Sequence, residues 1–127
     1  MKEHPNISLL KRLDLRNLEA GADLFHETFA WHYFNPKWHD VSGDYDGLQG
    51  LQTFFEVLGS KSGGTINLEP VSITACGDEL VVTHVRNSIM TEDQSFAVDA
   101  VEVWRVVDGR LAEGWDIPAV HVVARKA

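Results

Sequence analysis

The sequence predicts an α+β fold in which helices come first and a long antiparallel sheet follows, and three features predict it. Apolar residues recur at helical spacing between Asn6 and Phe29 and again between Leu48 and Leu58. From Thr65 onward the chain is a series of alternating, β-branched segments separated by turn residues. The last of those turns, Asp108-Gly109, is a strong two-residue hairpin signal.

The elements follow in order. Ile7, Leu10 and Leu13 mark a first helix after Asn6, a suitable N-cap. Asp14 can cap a second, with Leu15, Leu18, Ala22 and Phe25 on one face and Gly21 as its weak point. Trp31 to Asn35 is aromatic-rich and stops at Pro36, as a short strand does. Lys37 to Asp46 carries the Pro, Ser, Gly and Asp signals of a loop. Leu48, Leu51, Phe54, Phe55 and Leu58 form a third amphipathic helix, ended by Gly59 and Ser62-Gly63-Gly64. Strands are expected over Thr65–Ala75, with an edge or bend at Pro70, and over Leu80–Met90, Phe96–Val107 and Leu111–Val123. The turns between them fall at Gly77-Asp78, Glu92-Asp93-Gln94 and Asp108-Gly109. Apolar residues on both faces of these strands imply that the outer face is covered, as a homodimer would cover it.

Composition narrows the function classes. A chain of 127 residues without repeats or linker-like shifts fits one domain, 1–127. Apolar residues make up 44% of it, enough for a packed core. Nineteen acidic against eleven basic residues give a charge of −8, which repels phosphate backbones and anionic lipid. No nucleic-acid or membrane partner is expected. Met1 to Pro5 does not look like a signal peptide and no apolar run approaches about 20 residues, so the expected location is cytoplasmic. Cys76, the single cysteine, has no disulfide partner and reads as a small buried hydrophobe.

Motifs for nucleotide, phosphate, serine-hydrolase or zinc chemistry are absent from the sequence. The six histidines show no metal-ligand spacing, so no metal is expected, and each reads as a solvent or core histidine. The acids within the strands are more informative. Glu102 shares a side with Ala100 and Trp104, and Asp116 shares one with Gly114. Both lie at a similar distance from the Asp108-Gly109 turn, which allows them to occupy one face. Two carboxyls in an apolar concavity would repel, and desolvation would raise at least one pKa toward neutrality. One acceptor and one neutral donor result, which is the equipment for moving a proton beside a carbonyl. The alternative is that the acids face solvent, or pair with Arg105 or Arg110.

Three segments carry a family resemblance: Trp31-His32-Tyr33-Phe34-Asn35-Pro36, Tyr45-Asp46-Gly47-Leu48, and the run from Asp99 to Asp116. Together they resemble the SnoaL-like branch of the NTF2-like superfamily, related to polyketide cyclases and ketosteroid isomerases, over about Leu10 to Val122. The resemblance implies a cystatin-like cone, with N-terminal helices closing a curved antiparallel sheet around a pocket. It also implies dimers built on the outer sheet face.

Residue by residue, the ketosteroid isomerase pattern fails twice. Its base, an Asp before a Pro, corresponds to Asn35, and no Tyr precedes Tyr33 to supply its first-helix donor. Only Glu102, three residues before Arg105, matches its acidic donor. Cyclases of the SnoaL type match better, through Asp116 after Trp115 as acid/base and Asn35 as an orienting amide. Gly114 and Phe34 stand where relatives carry histidines, which removes polar donors and enlarges or dries the pocket. The Asp-Arg-Asp set of the epoxide hydrolases has possible members in Arg86, Asp99 and Asp116, with no spacing that singles them out.

If Asn35 faces the pocket, alternation sends Tyr33 and Trp31 there and turns His32 and Phe34 away. Trp104 follows Glu102 inward, His84 is assigned to the pocket rather than to a partner across the outer face, and Trp38 and Tyr45 rim the mouth. The expectation is a cofactor-free, metal-free lyase or isomerase acting on a small apolar carbonyl compound. Asp116 abstracts a proton, neutral Glu102 bonds the developing enolate, and Asn35 or Tyr33 orients the substrate. The alternatives are a non-catalytic binder of a small apolar molecule, and an interaction module using the outer face.

Overall fold

Two short helical segments open the chain in the computed structural model, which describes residues 3–63, 65–90, 95–121 and 124–126. Helix α1 spans Pro5–Lys11, with Pro5 in the first turn, where a missing N–H costs nothing. His4, not Asn6, is the cap, and its Nδ1 accepts the Asn6 N–H at 3.1 Å. Asn6 is buried one step further in, where its Nδ2 donates to the Asp78 carbonyl at 2.9 Å and ties the helix to the Gly77-Asp78 turn.

The second helix expected through Phe25 does not form. Leu18–Leu24 is a 3-10 segment that loses helical geometry at Gly21, and β1 takes over at Phe25–Tyr33. The helical spacing of Leu18, Ala22 and Phe25 is outweighed by the strand-forming aromatics that follow, whose alternate members Phe29, Trp31 and Tyr33 are buried. The expected loop contains a short β2, Gly43–Asp46. Helix α2, Gly47–Ser62, runs through Gly59 and stops at Gly63, whose φ of 67° gives the left-handed conformation that ends many helices.

The strands β3 (Thr65–Cys76), β4 (Leu80–Met90), β5 (Ser95–Val107), β6 (Arg110–Pro118) and β7 (Ala124–Lys126) complete the chain. The expected last strand ends at Pro118 rather than continuing to Val123. Val122 and Val123, and the turn at Glu92-Asp93-Gln94, lie outside the described residues. Six strands run in the order β2-β1-β6-β5-β4-β3 in a curved open sheet, and β7 pairs with the start of β5. The pairing is antiparallel except between β1 and β6, which are parallel and far apart in sequence, so no hairpin dictates their direction. The register slips by one residue at Val71, beside Pro70, where the bend was expected.

A second slip matters more. Asp108 and Gly109 both have positive φ, 51° and 74°, and make the predicted tight turn. A strict two-residue hairpin from this turn would set Glu102 opposite Trp115. Instead Val106 pairs with Leu111 while Arg105 pairs with Glu113, leaving Ala112 as an extra residue in β6. Beyond that bulge Glu102 faces Asp116 directly.

The core lies between the inner sheet face and the helices. Trp31 contacts Trp104 at 4.9 Å between ring centroids and Phe54 at 5.8 Å, and Tyr33 meets Phe54 at 4.7 Å. Gly114, the cross-strand partner of Trp31, leaves the room this ring occupies. A Cβ there would lie 2.6 Å and 2.7 Å from two Trp31 ring carbons. The missing side chain therefore does not enlarge a pocket, as the sequence suggested, because an indole fills the space. Phe34 does not dry one either, since it is 51% exposed on the other side of the strand.

On the outer face, His32 bonds Asp44 at 2.6 Å through Nδ1 and Glu113 at 2.7 Å through Nε2. Partial burial pulls its pKa down, but the two carboxylates outweigh burial and leave it raised. Cys76 is exposed at the end of β3, not buried as expected, because the strand runs out there into the turn. Val101 and Ile117, cross-strand partners, are exposed on this face. Among the described residues no helix is long and apolar enough to cross a membrane.

Gly114→Ala should lower unfolding free energy by about 1–3 kcal/mol, the usual range for overpacking a filled core. Urea denaturation measures it, and a neutral result would mean that the Trp31 ring moves aside at no cost.

Candidate active site

Alternation along β4, β5 and β6 brings Thr83, Glu102 and Asp116 to the inner face in adjacent register: Thr83 pairs with Glu102, and Glu102 with Asp116. Glu102 is 6% exposed and Asp116 4%, so two carboxyls stand side by side beneath the surface. Burial raises Glu102 to about 7, against the pull of the Thr83 hydroxyl and of the nearby Trp104 indole. The Thr83 hydroxyl donates to Glu102 Oε1 at 3.3 Å. The indole Nε1 lies close enough to act on the carboxyl electrostatically but makes no aligned hydrogen bond. Asp116 is raised well above the ordinary range, first by burial and then by the charge of Glu102.

The pair therefore keeps a proton near neutrality, because ionising both acids would put two desolvated anions on neighbouring strands. Hydrogen bonding decides where it rests. Glu102 has a donor, whereas Asp116 Oδ1 is buried with no partner among the described residues. The resting charge sits better on Glu102 and the proton on Asp116. This reverses the expectation of an ionised Asp116 beside a neutral Glu102, since sequence alone did not reveal Thr83.

Asp116 opens into a cavity of about 400 Å³. Tyr33, Asn35 and Asn87 line it together with apolar Ile66, Ile89 and Phe96. Tyr33 is the parallel-register partner of Asp116. Its hydroxyl accepts a bond from Asn35 Nδ2 at 2.9 Å, which leaves its own proton to donate. Burial pushes the phenol up to about 12; the Asn35 bond lowers it and the Asp116 charge raises it. Tyr33 thus stays a donor through the physiological range. Asn35 is held by its neighbours, with Oδ1 accepting the Lys37 N–H at 2.9 Å, and it positions the phenol as much as it presents an amide.

Of the residues singled out from sequence, Tyr33, Asn35 and Asp116 meet in this cavity, with Trp38 on its wall. Trp31 does not line it, being wholly buried in the aromatic core. Tyr45 does not rim it, because its hydroxyl bonds the Val41 carbonyl and its ring packs on Phe54. Glu102 and Trp104 open onto a different cavity. His84 lies on the outer face, where it bonds Asp99 at 2.8 Å beside Arg86. Val81, Thr83 and Val85 are the inward residues of β4, so His84 has the wrong parity for the pocket. The Arg86–Asp99 pair is accordingly separated by the sheet from Asp116, and an Asp-Arg-Asp set does not assemble.

Thr83 and Asn87 escaped the sequence reading. The buried valines on either side of Thr83 carried the signal, because they fix which residues of β4 turn inward. Among the described residues no three His, Cys, Asp or Glu side chains cluster as a metal site requires.

Comparison with known proteins agrees with this architecture. Bal32a, from a soil-derived mobile gene cassette, superposes with a TM-score of 0.76 at 20% identity, over 91% of this chain and 90% of that one. TerC, co-crystallised with polyporic acid, gives 0.73 at 19% identity, over 89% and 90%. A protein of Jannaschia sp. CCS1 named as a SnoaL-like polyketide cyclase gives 0.72 at 15% identity, over 94% and 88%. No curated protein matches by sequence. The SnoaL-like domain model matches residues 8–114, most of the chain, and the protein belongs to the SnoaL-like family of NTF2-like folds.

Proposed function

We propose that this chain is a cofactor-independent lyase or isomerase that moves a proton on a small apolar carbonyl compound bound against Asp116. The observation that carries this reading is the buried Glu102–Asp116 pair, one member of which opens into an apolar cavity beside a phenol. The substrate carbonyl accepts from the Tyr33 hydroxyl, which also stabilises the enolate oxygen as it forms. The pair's proton, which rests on Asp116, passes across the register pair to Glu102 as the substrate binds, and the freed Asp116 carboxylate takes the proton from the adjacent carbon. It then returns a proton to a second position or to a leaving hydroxyl, so protons balance over the cycle. Glu102 acts through Asp116 and does not touch the substrate.

The names of structural neighbours support the coarse class, since one is named as a SnoaL-like polyketide cyclase and TerC was co-crystallised with polyporic acid. The exposed Val101 and Ile117 support pairing of two copies across the outer sheet face. A cytoplasmic, soluble enzyme is consistent with the acidic charge.

A panel of apolar cyclic ketones incubated in D2O, with deuterium read by mass spectrometry, tests the reading. The wild type should exchange at least one ketone, and Asp116→Asn should slow that exchange by about 10²–10⁴-fold. Binding of the ketones without exchange would leave a ligand-binding domain instead. The rate should be bell-shaped in pH, highest where the pair holds one proton and falling when it holds two or none. A profile that rises once at the ordinary carboxylate pKa would detach the pair from the chemistry.

The same carboxyls cost stability. An acid whose pKa is raised by folding favours the folded state below its unfolded pKa, and that contribution is lost as pH rises through the folded value. For Glu102 the window runs from the ordinary carboxylate range to about 7, and Asp116 extends it upward. Asp116→Asn should therefore be more stable than wild type at pH 8, by about 1–3 kcal/mol, with the gap closing near pH 4. Thermal melts at the two pH values give the comparison, and a variant less stable at both would contradict it.

A further inference from the structure

The register pair at the heart of the site faces two ways. Asp116 opens into the cavity already described, and Glu102 opens into another of about 460 Å³. The two share no lining residue. The second cavity is walled by Leu10, Leu13, Leu68, Val85 and the Trp104 ring, and the buried Glu102 carboxyl and Thr83 hydroxyl form its polar end. It has the make-up of a small-molecule site: mostly apolar walls with one buried polar group to fix orientation.

The exposed rim supplies the other end of the recognition. Lys11, Asp14 and Arg16 line it, and each of the first two has its charge engaged nearby. Lys11 pairs with Glu3, and Asp14 Oδ1 accepts the Arg16 backbone N–H at 2.9 Å. The Arg16 guanidinium is held only by the neutral Asn67 amide oxygen, at 3.1 Å, and pairs with no carboxylate among the described residues. A cation so placed, above an apolar cavity, suits an anionic group on an apolar body.

We propose that this second cavity is a binding site separate from the Asp116 cavity, for an apolar molecule with an anionic end group held by Arg16 and its body against Leu13, Val85 and Trp104. The site does not depend on catalysis at Asp116, and it requires only that the α1 side of the sheet be accessible to a ligand.

The probe is 8-anilinonaphthalene-1-sulfonate, with uncharged N-phenyl-1-naphthylamine as its counterpart, followed in ¹H–¹⁵N spectra of the intact protein. The indole N–H signals of Trp104 and Trp38 report the two cavities separately. The sulfonate should shift the Trp104 signal, and Arg16→Ala should weaken that binding about tenfold or more while leaving the uncharged probe unaffected. Val85→Phe should abolish the Trp104 response. Because that variant fills a core position, Arg16→Ala, an exposed change, carries the test if it misfolds. A Trp104 signal unmoved at saturating sulfonate would overturn the proposal, and so would an Arg16→Ala effect equal for the two probes.

Discussion

Which way Asp116 points is decided by one extra residue in β6. Paired residues on neighbouring strands share a face, and a slip of one position sends every later side chain to the opposite side. Ala112 is that slip, and beyond it Glu102 meets Asp116 instead of Trp115. The consequences for the site accumulate from there. Two carboxyls are forced into adjacent positions under the helices, burial and mutual repulsion raise both, and Thr83 biases which one carries the charge. The same slip places Gly114 opposite Trp104 and beneath Trp31, so the largest rings of the core depend on the bulge as much as the acids do.

The cross-strand pair also divides the interior. Each acid faces its own cavity, one bounded by the end of β1 and by α2, the other by α1 and the middle of β3. Tyr33 and Asn35 belong to one side and Trp104 and Thr83 to the other, which separates the groups able to meet a carbonyl from those that set the pair's protonation. The outer face is chemically different. There His32 bridges Asp44 and Glu113, Arg105 pairs with Glu79 and Glu113, and Arg86 pairs with Asp99.

Much of this was legible in the sequence where local rules and tertiary structure agree. The Asp108-Gly109 turn, α2, the long strands and the inward set Tyr33, Asn35, Glu102 and Asp116 follow from turn chemistry and from periodicities of 3.6 and 2. The reading broke where tertiary contacts override spacing. Phe25 fits a helical pattern, yet β6 gives it a strand partner in Leu111. On β4 polar character misleads about parity for His84, which belongs outside with Arg86, while the buried Val81 and Val85 fix Thr83 and Asn87 inside. The bulge at Ala112 had no local signature, because an alanine is unremarkable in a strand. Its effect on the register was visible only once both partners were in place.

The position of β6 in the sheet has a further consequence. It lies between β1 and β5, so β1 and β2 reach the rest of the sheet through it alone. During synthesis those two N-terminal strands emerge early and can pair only with each other, an arrangement that is marginal in water. They wait for a strand near the far end of the chain, and the contacts that finally hold them span most of its length, a pattern that makes folding slow. Until that strand inserts, both acids remain hydrated and unopposed, and their desolvation becomes part of the closing event itself.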